Sequence, residues 1–296
     1  METLYRWSKF VDEDQLEEWE ARLIMAEVPF TAEKPINRKR WQLSSYAISR
    51  DHADQWRAQF GGGVTEVRPM DWQPSAESGA ESVLKIRDAL VVCEAEDESV
   101  WQSFRDRYPN RIVLSFPPQL AFGTGGHPTT AGCLRFLADI AKERAGRDWK
   151  LLDLGSGSGI LAIAAAKLGA SEVVAVEIDD MAMRYAKQNA ERHGVSDQIR
   201  FLEGDAVEMG SEGRLGTFDV VAANLFSSLL VSLFPAVASF FVRGGEKGRS
   251  GDLVISGFLT SQTREVNEAA REAGFRRDDF LRRGQWVAAR GQPEAG

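Results

Sequence analysis

The chain has 296 residues, 43% apolar and 27% charged, which is the balance of an ordinary soluble globular protein long enough for one large domain or two unequal ones. Its net charge of −8 argues against a general nucleic-acid binder or a direct nucleic-acid contact and leaves room for a basic partner. The two cysteines, Cys93 and Cys133, lack metal-ligand spacing and suit reduced thiols, and no basic stretch followed by an apolar core opens the chain, so a cytoplasmic protein is expected.

Leu4–Val11 has strand character, and the acidic amphipathic pattern of Asp12–Ala26 predicts a helix capped by Asp12 or Asp14. Trp41–Ile48 predicts a second strand, pairing with residues near Val28–Thr31. Ser49–Phe60 predicts a short helix opened by a Ser or Asp cap, and Val64–Val67 a last strand. This βαββαβ order over residues 1–69 describes a small α+β module of ferredoxin-like type, with Trp7, Trp19, Trp41 and Trp56 supplying much of its core. Met70–Glu81 carries Pro, Ser, Gly and acids without periodicity, so residues 70–83 read as a linker. Residues 84–296 then form a second, larger domain.

In that domain a glycine-rich loop, Ala121-Phe122-Gly123-Thr124-Gly125-Gly126-His127-Pro128-Thr129-Thr130, precedes a helix starting near Ala131. Beyond it strand and helix alternate. Lys150–Leu154, Glu172–Val176, Ile199–Leu202, Phe218–Ala223 and Leu253–Ser256 read as strands. Ile160–Leu168, Met181–Arg192 and Gln262–Ala273 read as helices. A final strand pair lies around Phe280 and Trp286–Ala289. The expected fold is α/β, a mostly parallel sheet covered on both faces with an antiparallel edge. Arg243–Gly251 reads as a solvent loop. Leu225–Val242 is apolar enough to raise a membrane span, but four serines and Pro235 interrupt it, and a buried helix broken or kinked at the proline is expected.

The chemistry is concentrated in Asp153-Leu154-Gly155-Ser156-Gly157-Ser158-Gly159-Ile160-Leu161. An apolar strand stops, glycines follow at alternate positions, and an Ala-rich helix begins, so a ligand can lie against bare backbone at a helix N-terminus. The next apolar run ends in Glu177, placed as an acid that binds ribose hydroxyls. A dinucleotide fingerprint would need glycine at 160, where Ile160 stands, and no Gly-Lys-Ser/Thr follows as a P-loop requires. The pattern resembles motif I of S-adenosyl-L-methionine-dependent methyltransferases of the Rossmann-like class.

Together, Phe122–Thr130, the glycine turn, Val176-Glu177-Ile178-Asp179 and Val220-Val221-Ala222-Ala223-Asn224-Leu225 are similar to the ribosomal protein L-eleven methyltransferases, the PrmA family. The resemblance runs from about Pro118 to Trp286, and the order of a small module before a catalytic domain agrees with it. It implies a protein methyltransferase that uses S-adenosyl-L-methionine on lysine or N-terminal amines of a basic ribosomal protein of the large-subunit stalk base, acting as a monomer. It also implies that the N-terminal module grips the substrate protein and swings on the linker.

By that resemblance Thr130, Gly155 and Glu177 contact the cofactor and Asn224 serves both cofactor and target amine; from the residues, the turn with Gly155, Gly157 and Gly159 admits the cofactor against backbone, and the loop that carries Phe122 is expected to close over it. From the residues alone, Thr129 or Thr130 is equally a helix cap, Asp205 either accepts from the adenine amino group or is a turn aspartate, and one of Asp179 and Asp180 is an N-cap. His127 is a structural hydrogen-bonder or a catalyst, with no metal set around it. Asn224 ends a strand at the sheet edge where open α/β folds bind ligands. Its amide oxygen can hold an amine hydrogen while the lone pair points at the methyl group. The chain departs from the family at Glu177, where members usually have Asp, and at Leu90-Val91-Val92-Cys93-Glu94-Ala95, where they carry Trp- and Pro-containing stretches. Two other readings keep the fold: methylation of a different protein, and cofactor binding without catalysis.

Overall fold

The computed structural model describes residues 4–26, 28, 30–33, 40–47, 49–67, 83–117, 127–211, 215–241 and 251–294. The chain divides into two compact units, Met1–Glu81 and Ser82–Gly296.

The first unit follows the βαββαβ order: β1 (Leu4–Val11), α1 (Leu16–Met25), β2 (Thr31–Glu33), β3 (Trp41–Ala47), α2 (Arg50–Phe60) and β4 (Gly63–Val67). Its strands form an antiparallel sheet in the order β2-β3-β1-β4. Trp7, Leu23, Leu43, Ala53, Trp56 and Phe60 are buried in its core, and Trp19 and Trp41 pack against it half-buried. Ser49 Oγ accepts from the His52 N–H (3.3 Å) and starts α2 as a cap. The first helix starts later than its pattern predicts, at Leu16, after a tight turn over Glu13–Gln15. Asp12 does not cap it. Its carboxylate instead takes the Arg40 guanidinium at 2.9 and 3.2 Å, two charge-assisted bonds where a cap supplies one neutral donor. The linker expected at Met70–Glu81 lies outside the described residues, as do all but Gly251 of the expected loop at Arg243–Gly251.

The second unit opens with elements the sequence does not announce: β5 (Leu84–Ile86), β6 (Leu90–Cys93), α3 (Glu98–Arg107) and β7 (Ile112–Ser115). They make a three-stranded sheet, β5 antiparallel and β7 parallel to the central β6. A four-residue apolar run such as Leu90–Cys93 has no period that separates a strand from a buried helical turn. One face of this sheet (Ile86, Leu90, Val92, Leu114) enters the core beside α4 (Pro128–Glu143), and the other (Val91, Cys93, Val113) packs on Trp101 and Phe104 of α3.

The main sheet follows: β8 (Lys150–Leu154), α5 (Ile160–Lys167), β9 (Glu172–Glu177), α6 (Asp180–Arg192), β10 (Ile199–Glu203), α7 (Ala206–Ser211), β11 (Val220–Asn224), α8 (Ser227–Val237), β12 (Asp252–Leu259), α9 (Thr263–Glu272), β13 (Phe275–Arg283) and β14 (Trp286–Pro293). The order is β10-β9-β8-β11-β12-β14-β13, with the first five strands parallel and β14 antiparallel to both neighbours. This is the α/β arrangement expected. Near-continuous apolar strands demand cover on both faces. Alternate residues accordingly enter opposite cores: Leu151, Val173, Ala175, Val220 and Ala222 one, and Leu152, Val174, Val176, Val221 and Ala223 the other. Helix α5 is buried from Ile160 to Ala166 because it is walled in on all sides.

The apolar segment after Asn224 is α8. It runs through Pro235 and ends two residues later in a tighter turn, rather than breaking at the proline. No helix among the described residues is long and apolar enough to cross a membrane. At the N-terminal ends of the parallel strands, the buried Asp252 carboxylate is held by Arg144 (2.6 Å) and Arg290 (2.8 Å), and Arg290 also reaches Glu143 (2.6 Å). Those bonds join the end of α4 to β12 and β14.

Candidate active site

The strand order reverses between β8 and β11, and the carboxyl ends of the strands at such a reversal are where open α/β sheets form their ligand crevice. The glycine turn leaves β8 at this point and Asn224 ends β11 beside it. Gly155, Gly157 and Gly159 have φ of +70°, +54° and +79°, a region that side-chain-bearing residues avoid. Part of this requirement is internal packing: a Cβ on Gly155 would stand 2.3 Å from Leu225 Cδ2, and one on Gly159 would stand 3.1 Å from Ala186 Cβ. The Gly155 and Ser156 N–H groups both donate to the Val176 carbonyl, at 2.9 and 3.0 Å, which welds the turn to β9.

Glu177 is buried at the end of β9, and its carboxylate organises this turn. Oε2 accepts from the Gly157 N–H (2.8 Å), and Oε1 accepts from the N–H groups of Ile178 (2.9 Å) and Asp179 (3.0 Å). Three of the roughly four lone-pair directions of a carboxylate are thus occupied by backbone. Asp179 is the N-cap of α6, accepting from the Met181 N–H (2.8 Å), whereas Asp180 pairs with Arg184 one turn on.

Thr130 and Asn224 are brought together. Asn224 Nδ2 donates to Thr130 Oγ1 (3.3 Å), and Asn224 Oδ1 is buried without a partner among the described residues. Neither Thr129 nor Thr130 is the cap of α4, which begins at Pro128 rather than near Ala131. His127 is the cap: Nδ1 lies 2.7 Å from Thr129 Oγ1 and accepts from the Thr129 N–H (3.4 Å). Its ring rests edge-on against Trp286, and burial pulls its pKa below the ordinary histidine value. Proline fits the first helical position because its missing N–H would have no partner there. That advances the helix start to Pro128.

Asp205 follows β10, where Oδ1 accepts from the Val207 (2.6 Å) and Glu208 (3.2 Å) N–H groups and caps α7. Phe122 lies outside the described residues.

Sequence reasoning assigned no role to two residues that hold this site. Asp153, within the glycine motif, is fully buried. Its Oδ2 accepts from the Ala162 N–H (3.1 Å) in the first turn of α5, and Oδ1 is without a partner among the described residues. Burial, reinforced by the charge of Glu177, pushes its carboxyl up to about 7. Asn189 of α6 is also buried, and its Nδ2 donates to the Ser158 carbonyl (2.8 Å). Asp153 carried a signal, since an acid inside an apolar strand must have a buried partner. Asn189 carried none, because a polar residue in an amphipathic helix reads as surface.

Comparison with known proteins decides the family. The profile described as ribosomal protein L11 methyltransferase (PrmA) matches residues 4–294. The chain belongs to the ribosomal protein L11 methyltransferase family. The ribosomal protein L11 methyltransferase of Chloroflexus aurantiacus is 33% identical over 286 residues, covering 85% of this chain and 82% of the relative. That of Bacillus cereus (strain ATCC 10987 / NRS 248) is 32% identical over 225 residues, or 76% of this chain, and the match spans 66% of that relative's length. The crystal structure of a ribosomal protein L11 methylase from Lactobacillus delbrueckii subsp. bulgaricus superposes with a TM-score of 0.57 at 28% identity, covering 72% of this chain and 98% of the other.

The cofactor of this methyltransferase family is S-adenosyl-L-methionine, and the residues present fit it. The open glycine turn abuts three buried polar atoms without partners among the described residues: Asp153 Oδ1, Ser156 Oγ and Asn224 Oδ1. A buried polar group left unpaired costs about 1–3 kcal/mol, so a ligand that pairs with these atoms recovers that cost. The described residues include no cluster of His, Cys, Asp and Glu arranged to hold a metal ion.

Proposed function

We propose that this protein transfers methyl groups from S-adenosyl-L-methionine to lysine and/or N-terminal amines of ribosomal protein L11, a basic protein of the large-subunit stalk base. In this reading it works in the cytoplasm as a monomer, without binding nucleic acid directly. The single observation that carries the chemistry is the Thr130–Asn224 pair beside the glycine turn. An amide has a donor side and an acceptor side. With Nδ2 engaged by Thr130, Oδ1 is the atom left to receive an N–H of the incoming amine.

When bound, the cofactor supplies a methyl group on a sulfonium, ready for in-line displacement. Gly155, Gly157 and Gly159 would admit it against backbone, Glu177 would meet its ribose, and Asp205 would stand towards its adenine. Thr130, with Phe122 in the preceding loop, would stand at its methionine end. Asn224 then works by orientation: a lysine amine, with an ordinary pKa of about 10.4, reacts only in its neutral form, and a fixed acceptor turns its lone pair onto the methyl carbon. Residues 1–69 would grip the substrate protein, with 70–83 as the connecting linker.

The test is transfer of tritiated methyl from S-adenosyl-L-methionine to ribosomal proteins of a strain lacking this gene. One labelled band with the mass of L11, with label on lysine or N-terminal peptides, is the expected result. Label on another protein would replace the substrate while keeping the chemistry. No label, with the cofactor still bound, would overturn the enzymatic reading.

A further inference from the structure

Four of the eight large apolar side chains left in solvent among the described residues lie just past the carboxyl ends of β9 and β11. Ile178 (66% exposed) and Met181 (51%) follow Glu177, and Phe226 (66%) and Leu229 (48%) follow Asn224. Phe226 is the most exposed ring among the described residues of the second unit, and the backbone leading to it is closely held. Leu225, the residue between it and Asn224, is seated in two cut-outs. The Leu225 side chain fills the space a Cβ on Gly155 would need. Its backbone lies against Gly257, where a Cβ would stand 2.2 Å from the Leu225 carbonyl oxygen. Gly257 has φ +97° and sits at the register shift between β12 and β14, and the Leu225 N–H donates to the neighbouring Ser256 carbonyl (3.0 Å). A bulge thus makes room for the Asn224–Phe226 backbone and fixes it. Phe226 is the N-cap residue of α8, and Leu229, three positions on, shares its side of the helix.

A rigidly held aromatic in water gains nothing for the fold, and its place two residues beyond the proposed amine acceptor indicates what covers it. We propose that Phe226, with Leu229 beside it, is the substrate-positioning shelf for the accepting lysine, taking its four-carbon stem along the ring and its head group towards Asn224. This rests on the reading of the protein as an amine methyltransferase. A lysine side chain has the matching chemistry, an apolar stem ending in a cationic or amine head, and aromatic faces favour such heads.

The experiment is steady-state methylation of L11 by the full-length wild type and by Phe226→Ala and Phe226→Tyr, with cofactor affinity from calorimetry and melting temperature measured alongside. Phe226→Ala is expected to raise KM for L11 about tenfold, the scale of a lost stem and cation–π contact. Its affinity for S-adenosyl-L-methionine and its Tm should stay at wild-type values, and Phe226→Tyr should restore KM. An unchanged KM in Phe226→Ala overturns the shelf while leaving the methyltransferase reading in place. So does a KM change matched by equal loss of cofactor affinity or of Tm, which marks a merely structural residue. A wild type that binds cofactor but methylates nothing overturns the reading and the shelf with it.

Discussion

At the scale of single residues, the arrangement around Asn224 makes an argument about coupling. Thr130 leaves Asn224 one way to face, with Oδ1 unpaired. Asn224→Ala removes the acceptor, and kcat is expected to fall about a hundredfold with cofactor affinity changed only a few-fold, as suits a group that orients an amine. Thr130→Val keeps the shape and removes the hydroxyl, so the amide loses its fixed orientation and kcat should fall about tenfold. The two effects should not add in the double variant, because they act through one hydrogen bond. Steady-state kinetics of the four proteins checks this, and additive losses would separate the two residues. Glu177 is different in kind, since its carboxylate shapes the turn through three backbone N–H groups. Glu177→Ala should weaken cofactor binding at least tenfold by calorimetry, and unchanged binding would remove it from the site.

At the scale of elements, a buried histidine at the C-terminus of α6 is one of the ties between the small sheet and the main sheet's core. His193 is buried against Trp101 and Phe116. Its Nε2 accepts from the Ser115 N–H (3.0 Å) at the end of β7, and its Nδ1 faces the Asn189 carbonyl (2.6 Å). Nε2 must therefore be unprotonated. Burial holds its pKa down to about 4, with Lys167, Arg192 and Arg105 acting in the same direction and the Asn189 carbonyl opposing them. In the unfolded chain a histidine ionises near 6.5. Between those values the unfolded state takes up a proton that the native state refuses. The contribution is therefore complete above about pH 6.5 and is lost as the pH falls to about 4, a change of about 3 kcal/mol. Urea unfolding at pH 7.5 and pH 4.5 should show a shallower pH dependence for His193→Gln than for wild type. Equal slopes would mean that His193 does not set it.

At the scale of the whole molecule, the second unit is a sheet clamped at both ends. The site occupies the carboxyl ends, and the Asp252 cluster the other. Asp252 is nearly inaccessible and its two guanidinium partners come from α4 and β14, far apart in sequence. Removing the shared carboxylate leaves Arg290 with Glu143 and Arg144 with Asp219, so Asp252→Ala should cost about 1–3 kcal/mol by denaturant unfolding. The loss should appear as a lower midpoint without a change in the cofactor affinity of the folded fraction. A shift under about 1 kcal/mol would show that Glu143 and Asp219 suffice for the arginines.

What the sequence by itself determined is what depends on local period and spacing. The alternating strands and helices from Lys150 onward, the glycine turn and the acid at the end of β9 were all legible, because each is a pattern within one segment. The βαββαβ order of the first unit was legible for the same reason. The strand order, and with it the crevice between β8 and β11, came only from the tertiary structure, since pairing across a sheet leaves no mark in a single segment. The same holds for the tasks of individual polar residues. Asp12 was a cap by position but pairs with Arg40, and His127 rather than a threonine caps α4, because competing partners arrive from elsewhere in the chain. Asp153, Asn189 and Leu225 acquire their meaning only when helix, turn and bulge are packed together. A buried polar group or a missing Cβ is defined by its neighbours, and those neighbours are chosen by the fold.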